Sequence, residues 1–182
     1  MYEFLSILCG WSFWTVGGFY DMSKGILRIY YGDGQGKSTA ALGTAVSEAG
    51  RGKSVMVISF LREKDINKTE MFTRLEPEMK FFRFEKSDCS FEALSQTEKE
   101  EEIMNLKNGF NYSKKVITTG GCDLVVLDEI LELLENNIIS EEVFLDLANA
   151  IPEDMIVICT GRTIGEKIRA CADEVYRVSL EK

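Results

Sequence analysis

A glycine-rich segment in the first quarter of the chain has the residue types that bind a polyphosphate. Three closely spaced glycines precede a lysine and a serine, and the glycine-rich segment comprises Gly32, Asp33, Gly34, Gln35, Gly36, Lys37, Ser38 and Thr39. Glycines let backbone N–H groups approach phosphate oxygens, a lysine neutralises their charge, and a serine hydroxyl can ligate Mg²⁺. Nucleotide binding is therefore the first hypothesis for this chain.

The residues on either side of this segment predict the local structure that such a loop requires. The apolar run 26–31 predicts a strand that enters the loop, and residues 38–42 predict the first turns of a helix that leaves it. A phosphate would then lie at a helix N-terminus. The general pattern G-x-x-x-x-G-K-[ST] places its first glycine at Tyr31, so this segment is a variant. The alternative is a glycine-rich turn without a ligand.

Further candidate residues follow two other apolar runs. Asp128 and Glu129 end one predicted strand, and a carboxylate at a strand tip can hold the Mg²⁺ of a nucleotide, directly or through water, opposite Ser38. Arg162 leaves the end of another predicted strand and can make a bidentate contact with a phosphate. Each feature alone is also explained by a loop acid or a surface arginine. Together with the glycine-rich segment, they predict one nucleotide site.

Strands and helices alternate along the chain, which predicts an α/β fold. The predicted strands cover residues 26–31, 55–60, 81–84, 122–129, 155–160 and 175–180. Helices are predicted from residue 38, behind a capping box at 95–98, from residue 140 until Pro152 stops the helix, and at 164–172. Residues 61–79 are predicted to form a loop with a short helix. The alternation predicts a mostly parallel sheet of about six strands with helices on both faces and with ligands at its carboxyl edge.

The composition limits the classes of function. A chain of 182 residues with 45% hydrophobic content predicts a single domain, and a net charge of −9 argues against sequence-independent binding of nucleic acid. Histidine is absent, which excludes imidazole acid–base chemistry and histidine metal ligands within this chain. The five cysteines are odd in number and show no paired C-x-x-C spacing. We therefore expect reduced thiols in a cytoplasmic protein.

The amino-terminal stretch is anomalous. Residues 4–20 carry no formal charge and are rich in aromatic side chains. The stretch is slightly short for a membrane span and lacks the basic region of a signal peptide, so neither membrane insertion nor export is predicted. One hypothesis is that translation begins at Met22 and that residues 1–22 are not native. The alternatives are an apolar flap over the site or a dimer contact.

These motifs resemble those of the cob(I)alamin (corrinoid) adenosyltransferase family, a branch of the P-loop proteins with a RecA-like sheet. The resemblance rests on residues 32–45, 125–129 and 158–162 and spans most of residues 25–180. Even the displaced first glycine is similar to the form that these enzymes use. The implied fold is α/β, a three-layer P-loop NTPase (RecA-like) with a mostly parallel sheet.

The resemblance implies transfer of the 5′-deoxyadenosyl group of ATP to the cobalt(I) of a corrinoid, with tripolyphosphate as the leaving group, in adenosylcobalamin synthesis or salvage. Cobalt(I) is already a strong nucleophile, so the protein needs no catalytic base and a chain without histidine is suited to the task. The work left to the protein is positioning and charge neutralisation.

The same resemblance assigns roles to individual residues. Residues 32–39 would cradle the triphosphate, and Lys37, Glu129 and Arg162 would form the catalytic set. The expected Mg²⁺ ligands are Ser38, Asp128 and Glu129. Members of this family usually carry a corrinoid-contacting loop with a tryptophan, and residues 61–96 of this chain contain none. Phe91 is the nearest candidate for that role. Phe82 and Phe84 are weaker candidates, because they are more typical of the core of a sheet.

The resemblance further implies a homodimer and a flavodoxin-type reductant as partner, with no nucleic acid or membrane involved. Two alternatives remain open from the residues themselves. The first is an ordinary P-loop ATPase or kinase, in which Glu129 would activate water or a hydroxyl for attack on the γ-phosphate. The second is a nucleotide- or corrinoid-binding protein without turnover. Tripolyphosphate as product, in place of ADP, separates the proposed transferase from the first alternative.

Overall fold

One six-stranded sheet forms the centre of the molecule. The computed structural model describes residues 24–60, 74–84 and 91–182. The expectations for residues 1–22 and for most of the loop predicted at 61–79 therefore lie outside the described residues. The strands are β1 (Ile26–Tyr31), β2 (Val55–Ser59), β3 (Met79–Arg83), β4 (Leu124–Asp128), β5 (Ile156–Gly161) and β6 (Glu174–Arg177). Their order is β3-β2-β4-β5-β1-β6, and every neighbouring pair is parallel, which confirms the predicted sheet.

Helices connect these strands. Within the described ranges they are α1 (Lys37–Ala49), α2 (Gln96–Thr118), α3 (Leu131–Glu135), α4 (Glu141–Asn149) and α5 (Glu166–Cys171), with a 3₁₀ turn at Phe91–Ala93. The predicted capping box is confirmed at the start of α2. The Ser95 N–H donates to the Glu98 carboxylate at 2.9 Å, and the Ser95 hydroxyl accepts from the Glu98 N–H. Helix α3 was not predicted, because five residues are too few to show a periodic pattern.

Buried apolar side chains lie on both faces of the sheet. On one face, Ala41 and Ala45 of α1 pack against a cluster that includes Val126 of β4. On the other face, the larger cluster joins side chains of α2 and α4 to the alternate strand positions and includes Leu106, Phe110, Val125, Leu127, Phe144 and Leu147. All five residues of β4 are buried, as expected for a strand covered on both faces. The fold therefore has three layers.

Five of the six predicted strands differ from the observed strands by one to three residues at one or both ends, and the third and sixth show the structural cause. The third begins at Met79 and not at residue 81, because Met79 is fully buried and pairs with Val55 of β2. The sixth ends at Arg177 and not at residue 180. Val178 makes one further backbone bond to β1, but its carbonyl accepts from the N–H of Gly34 in the glycine-rich segment. Strand β1 ends at Tyr31 and the chain turns away at Gly32, so β6 has no neighbouring strand to pair with beyond Arg177.

The strand order determines which ends meet. Strand β5 pairs with β1 on one side and with β4 on the other, so the carboxyl end of β5 lies between the glycine-rich segment and Asp128. Helix α1 packs on β4 and β5 as well as on its own strand. Among the described helices, none has the length and apolar character needed to cross a membrane.

Candidate nucleotide-binding site

The glycine-rich segment turns sharply from β1 into α1. Gly32 has a φ of 121° and Gly36 a φ of 113°, both in a region that side chains with a Cβ rarely adopt. The N–H of Gly32 donates to the carbonyl of Arg162 at 2.9 Å, and the N–H of Gly34 donates to that of Val178 at 3.0 Å. These two donors hold the segment in place. The N–H groups offered to a phosphate are therefore expected at residues 35–39.

The start of α1 supplies such donors. Its first helical hydrogen bond runs from the Ala40 N–H to the Gly36 carbonyl at 2.8 Å, so the preceding N–H groups have no acceptor within the helix. Gly36 occupies the cap position and has no side chain with which to satisfy them. The helix is 13 residues long, and its dipole favours an anion at this end. This geometry fits a phosphate at the helix N-terminus.

Lys37 lies folded over the glycine-rich segment. Its Nζ donates to the Gly32 carbonyl at 2.7 Å and to the Gly34 carbonyl at 3.2 Å. An ammonium group has three N–H donors, so these bonds leave one for a phosphate oxygen. The positive charge is therefore held at the point where the sequence predicts the triphosphate.

Tyr31 occupies the position where the general pattern has its first glycine. It is the last residue of β1 and pairs with Gly161 of β5. Arg169 of α5 donates to the Tyr31 hydroxyl at 2.7 Å and stacks on its ring with the guanidinium carbon 4.9 Å from the centroid. A cation over an aromatic face is stabilising. Tyr31 is thus held within the sheet edge, and the turn begins one residue later, at Gly32.

The two acids after β4 are held by a residue of β5. The buried Thr160 hydroxyl donates to Asp128 Oδ1 at 2.8 Å and accepts from the Glu129 N–H at 2.8 Å. Glu129 has a φ of 62°, which is uncommon for a residue other than glycine. Strained backbone of this kind occurs at functional sites, where the surrounding structure maintains it. Thr160 lies within residues 158–162, on which the family resemblance rests, but this role was not predicted. A polar residue ending an apolar strand was the available signal.

Oxygen donors at this edge fit a Mg²⁺ ion bound together with a nucleotide. The Ser38 hydroxyl and the Asp128 carboxylate belong to residues only 8% and 2% exposed, at the start of α1 and at the end of β4. Mg²⁺ is typically held by one or two carboxylates, with waters and substrate phosphates as its other ligands. Within the described ranges, no group of three or more acidic or cysteine side chains could form an all-protein cage. Ser38 and Asp128 are therefore the residues that could hold a Mg²⁺ ion together with a nucleotide.

Thr160 offers a test of this arrangement. We expect Thr160→Val to lower the free energy of unfolding by about 2 to 4 kcal/mol, because a buried carboxylate loses a donor and a buried N–H loses its acceptor. Urea unfolding measures this loss. Thr160→Ser keeps the hydroxyl and should recover most of the stability. Equal stabilities of the two variants would contradict the assigned hydrogen bonds.

The turn after β5 contains Arg162, whose side chain is 68% exposed. The backbone N–H of Arg162 donates to Glu132 Oε1 of α3 at 3.0 Å, and the Arg162 side-chain Nε lies 3.9 Å from the same oxygen. The next residue, Thr163, donates its hydroxyl to the Glu135 carboxylate. Burial and the neighbouring Glu135 raise the pKa of Glu132 to about 7. Glu132 was not among the predicted site residues, because one glutamate on a short helix carries no motif.

The structure brings most of the predicted site residues to one edge of the sheet. The glycine-rich segment is bonded to the Arg162 turn, and that turn follows Thr160, which holds Asp128 and Glu129. Phe91 lies in the 3₁₀ turn before α2 and packs, half-buried, against the larger core cluster. Phe82 and Phe84 pack against the same cluster, as expected for core residues. The role of Phe91 toward a corrinoid stays a prediction.

A glycine-rich turn leads from β1 into a helix, and acids end β4, which is separated from β1 by one strand of a parallel sheet. This combination defines a P-loop nucleotide-binding protein with a RecA-like sheet. The model of the family ATP:corrinoid adenosyltransferase BtuR/CobO/CobP matches residues 23–182. The chain belongs to this family.

Individual relatives agree with this assignment. The corrinoid adenosyltransferase CobA of Salmonella typhimurium (strain LT2) is 30% identical over 152 residues, which cover 84% of this chain and 75% of the relative. The corrinoid adenosyltransferase of Escherichia coli (strain K12) is 28% identical over the same coverage, and that of Pseudomonas aeruginosa is 26% identical over 87% of this chain and 77% of its own length.

A solved structure supports the fold alone. The flagellar accessory protein FlaH from Methanocaldococcus jannaschii superposes with a TM-score of 0.55 at 16% sequence identity, over 86% of this chain and 72% of FlaH. At this level of identity, the likeness concerns the arrangement of strands and helices.

Proposed function

We propose that this protein transfers the 5′-deoxyadenosyl group of ATP to the cobalt(I) of a corrinoid and releases tripolyphosphate. Membership of the ATP:corrinoid adenosyltransferase family supports the reaction class. The observation that carries the proposal is the convergence of Lys37 in the glycine-rich segment with the Asp128–Thr160 pair at one edge of the sheet. Such an edge can bind a triphosphate and its metal side by side.

The chemistry places its electrostatic demand on the leaving group. Cobalt(I) attacks the 5′-carbon of ATP, the cobalt–carbon bond forms as the carbon–oxygen bond breaks, and the electron pair leaves with tripolyphosphate. Negative charge therefore grows on the oxygen next to the α-phosphate. We propose that Lys37, Arg162 and the N–H groups at the start of α1 stabilise this charge. Positioned donors of this kind are among the largest contributions to catalysis.

We assign the metal to the same edge. Ser38, Asp128 and Glu129 would hold Mg²⁺, which would supply charge neutralisation to the triphosphate. The buried positions of Ser38 and Asp128 support this assignment. Thr160 would keep the Asp128 carboxylate and the Glu129 backbone in position.

For the second substrate, we propose that Phe91 contributes to corrinoid contact, with the 3₁₀ turn at Phe91–Ala93 as its support. We also propose that the protein acts in the cytoplasm as a homodimer and receives its reduced corrinoid by way of a flavodoxin-type reductant. These assignments rest on the family alone.

Product analysis tests the proposal. The purified chain is incubated anaerobically with ATP, Mg²⁺ and chemically reduced corrinoid, and the light-sensitive cobalt–carbon product is followed by absorbance. We expect adenosylated corrinoid and tripolyphosphate in equal amounts. ADP as the nucleotide product would indicate an ATPase or kinase. Tight binding of both substrates without turnover would indicate a binding protein.

A further inference from the structure

A carboxylate on the short helix α3 contacts the backbone of the turn after β5. Glu132 Oε1 accepts from the Arg162 N–H at 3.0 Å, and only 14% of the Glu132 side chain is exposed. Burying a carboxylate is unfavourable unless hydrogen bonds compensate for the lost water. Glu132 has no place in the proposed metal or phosphate contacts, so its position requires another explanation.

Residue Arg162 connects helix α3 to the glycine-rich segment. The backbone N–H of Arg162 donates to the Glu132 carboxylate, while its backbone carbonyl accepts from the Gly32 N–H at 2.9 Å. The same residue carries the guanidinium group proposed to contact phosphate. A second contact, from the Thr163 hydroxyl to Glu135, holds the next residue of the turn to the same helix. Helix α3 begins two residues after Glu129, so these bonds join the acidic turn after β4 to the phosphate-binding turn after β1.

We infer that Glu132 is a positioning residue that holds the Arg162 turn against the glycine-rich segment and thereby sets the affinity for Mg-ATP. This inference rests on the proposed function, since the phosphate contact of Arg162 belongs to that proposal. The main-chain bond does the positioning. The pair between Glu132 and the guanidinium is 3.9 Å long, with the arginine 68% exposed, and a pair of this kind contributes little.

Three substitutions at one position isolate the hydrogen-bond acceptor. Glu132→Leu removes the acceptor, and we expect the Kd for Mg-ATP to rise about tenfold. Glu132→Gln keeps an acceptor oxygen at the same distance along the side chain and should stay within about twofold of the wild type. Glu132→Asp keeps the charge on a side chain one methylene shorter, so it should weaken binding as the leucine does. The aspartate variant also serves if the leucine variant does not fold.

Calorimetry of the full chain with Mg-ATP measures these affinities. It is run at about pH 8, where a carboxyl with a raised pKa is mostly ionised. Glu153→Leu is the matched control, because Glu153 is exposed and precedes β5 at the opposite edge of the sheet. Its Kd should equal that of the wild type. Thermal unfolding of each variant establishes that the folded proteins are compared.

Steady-state kinetics separate positioning from a purely structural role. We expect the KM for ATP to rise in the leucine and aspartate variants and to stay close to that of the wild type in the glutamine variant. The KM for the corrinoid should stay unchanged in all three variants. A residue that only stabilises the fold would lower the unfolding temperature and leave both KM values alone. That result, or a Kd for Glu132→Leu equal to that of the wild type, would overturn the inference. A glutamine variant as weak as the leucine variant would also overturn it.

The proposed function and this inference fail separately. A wild-type protein that binds Mg-ATP but forms no adenosylated corrinoid would refute the proposed function, while the Kd comparison would still test Glu132. A wild-type protein that forms the product, beside a leucine variant with unchanged affinity, would refute the role of Glu132 alone.

Discussion

Lys37→Ala is expected to weaken Mg-ATP binding by about a hundredfold or more and to reduce turnover at least as strongly. The substitution removes the ammonium that lies over the glycine-rich segment, with its bonds of 2.7 and 3.2 Å to the carbonyls of Gly32 and Gly34. The triphosphate thus loses a positive charge, and the segment loses two hydrogen bonds that hold its shape. Calorimetry with Mg-ATP and initial rates of adenosylation measure the two effects.

Lys53→Ala is the matched control for this substitution. Lys53 precedes β2, at the amino edge of the sheet, and pairs with Glu48 of α1 at 2.9 Å. Its removal changes the net charge of the protein by the same amount but leaves the carboxyl edge intact. We therefore expect the affinity for Mg-ATP to remain that of the wild type. Lys37→Ala with unchanged binding and turnover would contradict the assigned nucleotide site.

Gly32→Ala is expected to lower the free energy of unfolding by about 2 to 4 kcal/mol and to abolish measurable ATP binding. An added Cβ would lie 2.3 Å from the backbone oxygen of Val178, and the residue has a φ of 121°. Neither the main chain of the adjacent segment nor the conformation of the turn can relax at small cost. Chemical denaturation and calorimetry on the same preparation check both outcomes.

Gly43→Ala separates this effect from a general response to losing a glycine. Gly43 lies within α1, and an added Cβ there would meet nothing within 4 Å. Alanine is favoured over glycine in a helix, so we expect this variant to be more stable by about 0.5 to 1 kcal/mol and to bind ATP normally. If Gly32→Ala behaved in the same way, the close packing of Val178 on the glycine-rich segment would be wrong.

Local patterns were enough to predict most of the fold. The apolar run of β1 predicted both ends of that strand, those of β4 and β5 predicted strands within two residues of the observed ends, and the capping box placed the start of α2 at the correct residue. These features depend on side chains close together in sequence. The ends of β3 and β6 were wrong because each is decided by a partner distant in sequence, β2 in the first case and the glycine-rich segment in the second.

For the candidate site too, some residues could be predicted from the sequence and others could not. Its charged and glycine residues could be selected from their types and spacing, because a phosphate and a divalent cation require particular chemical groups. The hydrogen bonds that support these residues could not be predicted from residue types and spacing. Thr160 reaches residues more than 30 positions away, and Glu132 bonds to a residue 30 positions away. No periodicity or motif predicts such pairs of residues, because they come into contact only when parallel strands lie side by side.

The amino-acid sequence by itself determined the chemistry available to this protein: a lysine, a serine and glycines that can bind phosphate, acids that can bind a metal, and no imidazole. The tertiary structure decided how these groups are held. It placed β5 between β1 and β4. The N–H groups of Gly32 and Gly34 bond to the backbone of neighbouring segments, and the Arg162 turn is bonded to both Glu132 and the glycine-rich segment. The physical reason is that hydrogen bonds between distant backbone segments depend on strand order and register, which local sequence does not encode.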